Sequence, residues 1–119
     1  MALVLLALPL VAWAEEWRGL VVRVKDGDTF VVQRRGCLIT VRLWGVDCPE
    51  LRDKPRGPAA AELTRQLILG KRVRLVPHGP DKYGRTVAEV LLPRKQNLGA
   101  VLIRAGLGIW TPRYAPLGI

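Results

Sequence analysis

Two carboxylates flank a glycine in the run Val24-Lys25-Asp26-Gly27-Asp28-Thr29-Phe30. Residues i and i+2 of an extended backbone point the same way, so Asp26 and Asp28 are expected on one face. Like charges held that close repel unless a cation or basic groups answer them. The plain alternative for the tripeptide alone is a solvated Asp-Gly hairpin turn. Further along, Arg42 is followed by Asp47 and Glu50, and Arg85 closes a Lys82-Tyr83-Gly84-Arg85 loop. Four carboxylates and two guanidiniums in so small a chain suit phosphodiester hydrolysis. That reaction needs positive charge against the pentacovalent phosphate, a positioned water, and a group that orients or deprotonates the water. Asp28 and Asp47 would hold a hard cation through oxygen, and so few protein ligands suit Ca²⁺ completed by water. Arg42 and Arg85 would clamp the phosphate, and Glu50 is the candidate base or water-orienter.

Elements must hold these residues in place. Trp17 to Lys25 reads as a first strand, with Leu20, Val22 and Val24 alternating against Arg23 and Lys25. Thr29 to Gln33 makes a second strand and Arg34-Arg35-Gly36 a turn. Leu38 to Trp44 returns as a third, with Ile39, Val41 and Leu43 on one face and Leu38, Thr40, Arg42 and Trp44 on the other. A charge at Arg42 among apolar neighbours is expensive unless anions answer it, which assigns Arg42 to a site. Gly45 to Gly57 reads as a loop. Pro58 to Leu69 is the clearest helix, with Gly70 closing it and Ala59, Leu63 and Leu67, plus Ala60 and Ile68, as its buried stripe. Lys71 to Val76 is a fourth strand, Pro77 to Gly84 a loop holding His78, and Thr86 to Leu92 a fifth strand. Asn97 caps a second helix carrying Leu98, Val101, Leu102 and Ala105 at helical spacing, closed by Gly106. The tail from Leu107 to Ile119 shows no helical period. Short strands, a helix between the third and fourth, and a basic face predict a mainly β fold, an OB-like five-stranded barrel, over a generic α+β domain.

Composition narrows the partner. A length of 119 residues suits one domain with a modest core, and 50% hydrophobic residues argue against disorder. Nineteen Lys and Arg against ten Asp and Glu give a formal charge of +9, and fourteen of the nineteen are Arg. Arginine's planar fork matches phosphate bidentately, so the excess favours a polyanion. A membrane-surface role would want a basic amphipathic helix, and none is visible.

Met1 to Ala14 is uncharged in its side chains, rich in Leu, Val and Ala, and ends Ala12-Trp13-Ala14. It is too short to span a bilayer and has the form of a secretory signal, whose removal would release a chain starting at Glu15. The expected destination is outside the cell or the periplasm, with an uncleaved membrane tether as the alternative. Cys37 and Cys48 stand at the two ends of the third strand, about 20 Å apart if extended, so no intrachain disulfide is expected. A zinc site is not expected either, because there is no Cys-x-x-Cys pair and only one histidine.

Three segments carry a resemblance. Val24-Lys25-Asp26-Gly27-Asp28-Thr29, then Val41-Arg42-Leu43-Trp44-Gly45-Val46-Asp47-Cys48-Pro49-Glu50, then Asp81-Lys82-Tyr83-Gly84-Arg85, resemble the staphylococcal nuclease-like (thermonuclease) family. The likeness runs in order from about Val21 to Leu107. It implies an OB-fold barrel over residues 15–111 and a Ca²⁺-dependent endonuclease acting on DNA and RNA as a monomer. The bond to the 5′ oxygen would be cut, leaving 3′-phosphates. By the same resemblance Asp28 and Asp47 are the Ca²⁺ carboxylates, and Cys48 supplies a backbone carbonyl beside them. Asp26 stands near the metal without touching it. Glu50 matches the water-activating glutamate, Arg42 and Arg85 the phosphate arginines, and Lys82, Tyr83 and Tyr114 substrate contacts. The family's third, C-terminal helix has no counterpart in the tail 112–119, and the loop Leu51 to Arg56 is short.

A different class competes: a non-catalytic OB module that holds single-stranded nucleic acid. Such relatives lose the acidic and arginine positions, whereas Asp28, Arg42, Asp47, Glu50 and Arg85 all stand in this sequence. For Tyr83 and Tyr114, partial core burial competes with stacking on a base; His78 is expected without a role, and Trp17, Trp44 and Trp110 in the core.

Overall fold

In the computed structural model, which describes residues 15–112, a long first strand, β1 (Trp17–Asp26), reverses at Gly27-Asp28 into β2 (Thr29–Arg34). A second reversal at Arg35-Gly36, with φ of 52° and 80°, leads to β3 (Cys37–Leu43). Positive φ at both central residues gives the tight turn whose twist matches the strands it joins. The short β4 (Val46–Asp47) follows, then α1 (Arg56–Ile68), β5 (Arg72–Pro80) and β6 (Thr86–Leu92). Last come β7 (Gln96–Asn97), α2 (Leu98–Arg104) and β8 (Ile109–Trp110).

Antiparallel pairs join β1 to β2, β2 to β3, β1 to β5 and β5 to β6. A parallel pairing of β3 with β6, Val41 opposite Thr86 and Arg42 opposite Val87, closes the ring into a five-stranded barrel. Closure leaves these strands without a free edge. The barrel is filled by Val21, Phe30, Val32, Val41, Leu75 and Val90, all with no exposed surface, and Ile68 of α1 and Leu98 and Leu102 of α2 join the same cluster. The expected OB-type barrel with two helices is therefore the observed architecture. Among the described residues no helix is long and apolar enough to cross a membrane.

Several local expectations change. In β1 it is Val21 and Val24 that are buried, while Val22 is 42% exposed. The register against β2 shifts between Val21 and Arg23, and one extra residue there swaps the facing of everything before it. Helix α1 starts at Arg56, and its buried side is Gly57, Ala60, Ala61, Thr64 and Ile68, with Ala59 exposed. Small residues on that side let the helix lie close on the barrel. The expected loop from Pro77 begins as strand: β5 continues to Pro80 across a register shift between Pro77 and Gly79, an irregularity that accommodates prolines in a ladder. The tail's Ile109-Trp110 pairs with Val46-Asp47, a strand pair too short to leave a periodic signal. Asn97 caps α2 as expected, its side chain accepting from Ala100 N–H at 3.3 Å.

Candidate active site

The Asp26-Gly27-Asp28 segment is a hairpin turn, as the plain reading had it, but it is not solvated. Asp28 is 5% exposed. A Cβ on Gly27 would stand 2.8 Å from Ala60 Cβ and 2.9 Å from Cys48 Sγ, so only glycine lets α1 and the segment after β4 close over the turn. Thr64 of α1 donates its hydroxyl to the Gly27 carbonyl at 2.7 Å, fixing the turn from the helix side. Within the turn, Asp28 N–H donates to Asp26 Oδ1 at 3.2 Å. The Asp28 carboxylate accepts from Thr29 Oγ1 at 3.0 Å and from Cys48 N–H at 2.7 Å.

Arg42, near the end of β3, is 3% exposed. Its Nη1 donates to the carbonyls of Leu43 at 2.9 Å and Val46 at 2.6 Å. Its Nη2 stands 3.2 Å from Asp47 Oδ1 and 3.4 Å from Asp28 Oδ2. The anions that the sequence demanded for a charge in this position are therefore present, and the guanidinium is locked by both of its ends. One nitrogen atom brings together carboxylates from β4 and from the β1–β2 turn.

Burial pushes the Asp28 carboxyl up to about 6, its hydrogen bond with the Asp26 side chain adds to the rise, and Arg42 opposes both without cancelling them. A carboxylate so placed is short of positive charge. Burial likewise pushes the Cys48 thiol up to about 12, with the Asp28 charge adding to it, so the sulfur stays protonated at neutral pH in the metal-free chain. The donors that remain, Asp28 and Asp47 oxygens and the Cys48 carbonyl, are hard and few. Among the described residues no three His, Cys, Asp or Glu groups enclose a metal by themselves. That donor set fits a hard cation completed by water and substrate and does not fit a closed structural site.

Arg85 stands on a separate wall. Asp81 Oδ2 accepts from its Nε at 2.7 Å and Asp81 Oδ1 from its backbone N–H at 2.9 Å. Burial would raise Asp81, but these bonds and the N–H of Tyr83 outweigh it and leave its pKa lowered. A cleft of about 570 Å³ is lined by Lys25, Asp26, Thr29, Thr40, Tyr83 and Arg85. Tyr83 is 70% exposed, which removes the expectation of partial core burial. Its ring lies under Arg85 at 5.4 Å and Lys82 Nζ at 5.3 Å. The parallel β3–β6 pairing sets this wall beside the first, since Val41 is opposite Thr86, the residue after Arg85.

Glu50 does not join either group. It is exposed and paired with Arg52 Nε at 2.9 Å, another exposed side chain. Tyr114 and the leader-like run 1–14 lie outside the described residues. Cys37 is exposed and Cys48 buried, and both thiols are free.

The sequence reading passed over other residues. His78, expected in a loop without a role, is in β5 and stacks on Trp44 at 4.6 Å. Its Nε2 is hydrogen-bonded to Glu89 Oε2 at 2.8 Å, and Glu89 in turn accepts from Asn97 Nδ2, the cap of α2. Trp44 is half-buried between His78 and Trp110, whose ring meets it edge-on at 5.3 Å, and Trp110 itself is 48% exposed. Thr64 carried a signal that was legible: it is the one polar residue between Ala60 and Ile68 on the buried side of α1.

Comparison with known proteins adds a second line. Residues 40–116 match the family described as staphylococcal nuclease homologue. An uncharacterized endonuclease of Escherichia coli O157:H7 is 32% identical over 106 residues, covering 83% of this chain and 69% of its own length. A micrococcal nuclease of Shigella flexneri is 33% identical, covering 95% of this chain and 68% of its own. A thermonuclease of Staphylococcus intermedius is 44% identical over 80 residues, 61% of this chain and 48% of its own.

Proposed function

Since the chain belongs to the staphylococcal nuclease family, we propose that it is a Ca²⁺-dependent endonuclease that hydrolyses phosphodiester bonds of DNA and RNA and leaves 3′-phosphates. The observation that carries this reading is the meeting of Asp28 and Asp47 at one nitrogen of a buried arginine, 3.4 and 3.2 Å away. The chemistry asks for that juxtaposition of anionic oxygen and fixed positive charge.

Asp28, Asp47 and the Cys48 carbonyl would hold the cation, which supplies Lewis-acid charge to the phosphate oxygens. Arg42 presents a guanidinium whose orientation is set beforehand by the Leu43 and Val46 carbonyls, and its Nη2 would turn from Asp28 and Asp47 to the phosphate once the cation takes up those carboxylates. Arg85 is held through Nε by Asp81, which keeps its terminal nitrogens toward the cleft for the opposite side of the phosphate. Glu50 takes or orients the proton of the attacking water after exchanging its exposed pairing with Arg52, an interaction worth about 0–1 kcal/mol. Tyr83 offers a stacking face for a base and Lys82 a phosphate contact at the rim. Tyr114 is assigned to substrate contact on sequence resemblance alone.

A sparse oxygen site binds in the weak range typical of extracellular modules, about 10⁻⁴–10⁻³ M. That range agrees with export to the medium or periplasm, which the run Met1 to Ala14 supports, and the chain is taken to act as a monomer. The test is cleavage of single-stranded DNA and RNA by residues 15–119 with millimolar Ca²⁺ or with EGTA, followed by end-group analysis. Calcium-dependent 3′-phosphate ends are expected. Cutting that persists in chelator, or 5′-phosphate ends, overturns the assignment.

A further inference from the structure

A second cleft is larger than the one lined by Tyr83 and Arg85. It has a volume of about 800 Å³ and runs from the start of β1 and the end of β2, at the opposite end of β1 from the Asp26 turn, to Pro77 and Pro80 at the far end of β5 and Thr86 at the start of β6. Its charged lining is Arg18, Arg34, Arg35 and Arg72, with Glu15, Glu16 and Trp17 beside them. A smaller groove of about 250 Å³ continues past Lys71 and Arg74 and shares Arg18 and Arg72 with that cleft.

The arrangement opposes its own charges. Arg18 and Arg74 are direct cross-strand partners on β1 and β5, a like-charge placement that costs stability. Glu16 takes Arg74 in a bidentate pair at 2.7 and 3.0 Å. Among the described residues this leaves Arg18, Arg35 and Arg72, all exposed, without an ion-pair partner. Arg34 lies over the Trp17 ring at 4.4 Å, a flat cation–aromatic platform at the cleft wall. Unanswered guanidiniums along a groove, interleaved with an aromatic face, match the backbone and bases of a single polynucleotide strand. Glu15 and Glu16 line the same cleft, but Glu16 is taken by Arg74, so the four lining arginines keep a positive excess that favours a polyanion.

We infer that this face is a second nucleic-acid surface, whose arginines hold the strand by its phosphates at the end of β1 away from the Asp26 turn and whose far rim, at Thr86, adjoins Arg85. The inference rests on the nucleic-acid reading above and deepens it: the enzyme would grip long chains better than short ones, because only a long chain reaches both clefts. Three phosphate contacts at Arg18, Arg35 and Arg72 contribute about 2 to the slope of log affinity against log salt on single strands.

The experiment compares the wild-type chain with the triple variant Arg18→Gln/Arg35→Gln/Arg72→Gln and with the charge-keeping triple Arg18→Lys/Arg35→Lys/Arg72→Lys. Fluorescence anisotropy of a labelled 20-nucleotide and a 3-nucleotide single strand in EGTA reads binding over a salt series, and cleavage of both is measured with Ca²⁺. The Gln triple should lose about tenfold or more in affinity for the long strand, with a salt slope shallower by about 2. Cleavage of the short strand should not change, and the Lys triple should recover most of the long-strand affinity. An unchanged slope overturns the inference, as does equal loss on both lengths or a Gln triple that loses anionic-lipid vesicles but not the 20-nucleotide strand. Binding that shows the expected pattern in a chain that cuts nothing supports the surface and retires the nuclease reading alone.

Discussion

Asp28 and Cys48 stand 20 residues apart and are joined by one hydrogen bond, from the Cys48 backbone N–H to Asp28 Oδ2 at 2.7 Å. The bond aims the carboxylate using a donor that no side-chain substitution at position 48 removes. Cys48→Ala should therefore leave the calcium dependence of cleavage near that of the wild type. Asp28→Asn replaces one acceptor oxygen with a donor and should raise the Ca²⁺ needed for half-maximal rate by about tenfold or more. A calcium titration of both variants decides it; the opposite ranking would place the ion elsewhere.

Arg42 and Arg85 should separate in stability while agreeing in activity. Loss of either guanidinium should slow cleavage by about 10²–10³-fold, as for other preorganised donors to developing charge. Arg42→Ala also strands buried Asp28 and should cost about 3–5 kcal/mol of stability. Arg85→Ala breaks a pair nearer the surface and should cost about 1 kcal/mol or less. Urea unfolding beside single-turnover rates tests the split. Glu50→Ala belongs with the activity losses and, being exposed, should barely move the unfolding midpoint.

Stability without divalent ion should fall as pH rises through the range set by Asp28. Its folded value of about 6 lies above the ordinary aspartate value of about 3.9, so the folded chain holds that proton more tightly than the unfolded one. The stabilisation is complete at low pH and is lost between about pH 4 and about pH 6, by at most about 3 kcal/mol. Asp26, Arg42, Asp47 and the neutral Cys48 thiol are the ionisable neighbours, and burial is the main cause. Unfolding in EGTA across this range should show a slope in the wild type that Asp28→Asn removes. Parallel profiles would refute the assignment.

Thr64→Val keeps the volume of the side chain and deletes its hydroxyl, leaving the Gly27 carbonyl without its 2.7 Å donor. A loss of about 1–3 kcal/mol is expected. Activity should fall as well, because the turn that carries Asp28 loses its tie to α1. Equal activity at equal calcium would show that β1 and β2 hold the turn unaided.

The two thiols should react at very different rates. Cys37 is exposed, whereas Cys48 is buried and held as a thiol. A thiol reagent at mild pH should modify one equivalent at once and the second only on unfolding, as mass spectrometry would show. Rapid modification of both would mean that the segment after β4 opens readily.

Arg42 was legible in the sequence because a charge inside an apolar strand pattern has to be answered by something. The helix caps were legible too, since Asn97 and Gly70 act through local geometry. The meeting of Asp28 with Asp47 could be read only through a run of matched segments, because spacing along the chain says nothing of a closed ring. Thr64 was legible as the one polar residue on the buried side of α1, but its partner is a backbone carbonyl, which leaves no mark in the residue string. The bulge at Val22 was invisible for a related reason: valine suits both faces of a strand, and register is decided by the partner. His78 was misplaced because two prolines disguised the far end of β5 as a loop.

The strand that carries Asp47 has a single ladder partner, β8, 62 positions later at Ile109 and Trp110. During synthesis the Asp28 turn and both arginines leave the ribosome long before that partner exists. The Asp47 ladder therefore forms only after Ile109 and Trp110 have been made, whereas the bonds from Cys48 and Thr64 that fix the Asp28 turn need nothing beyond residue 64.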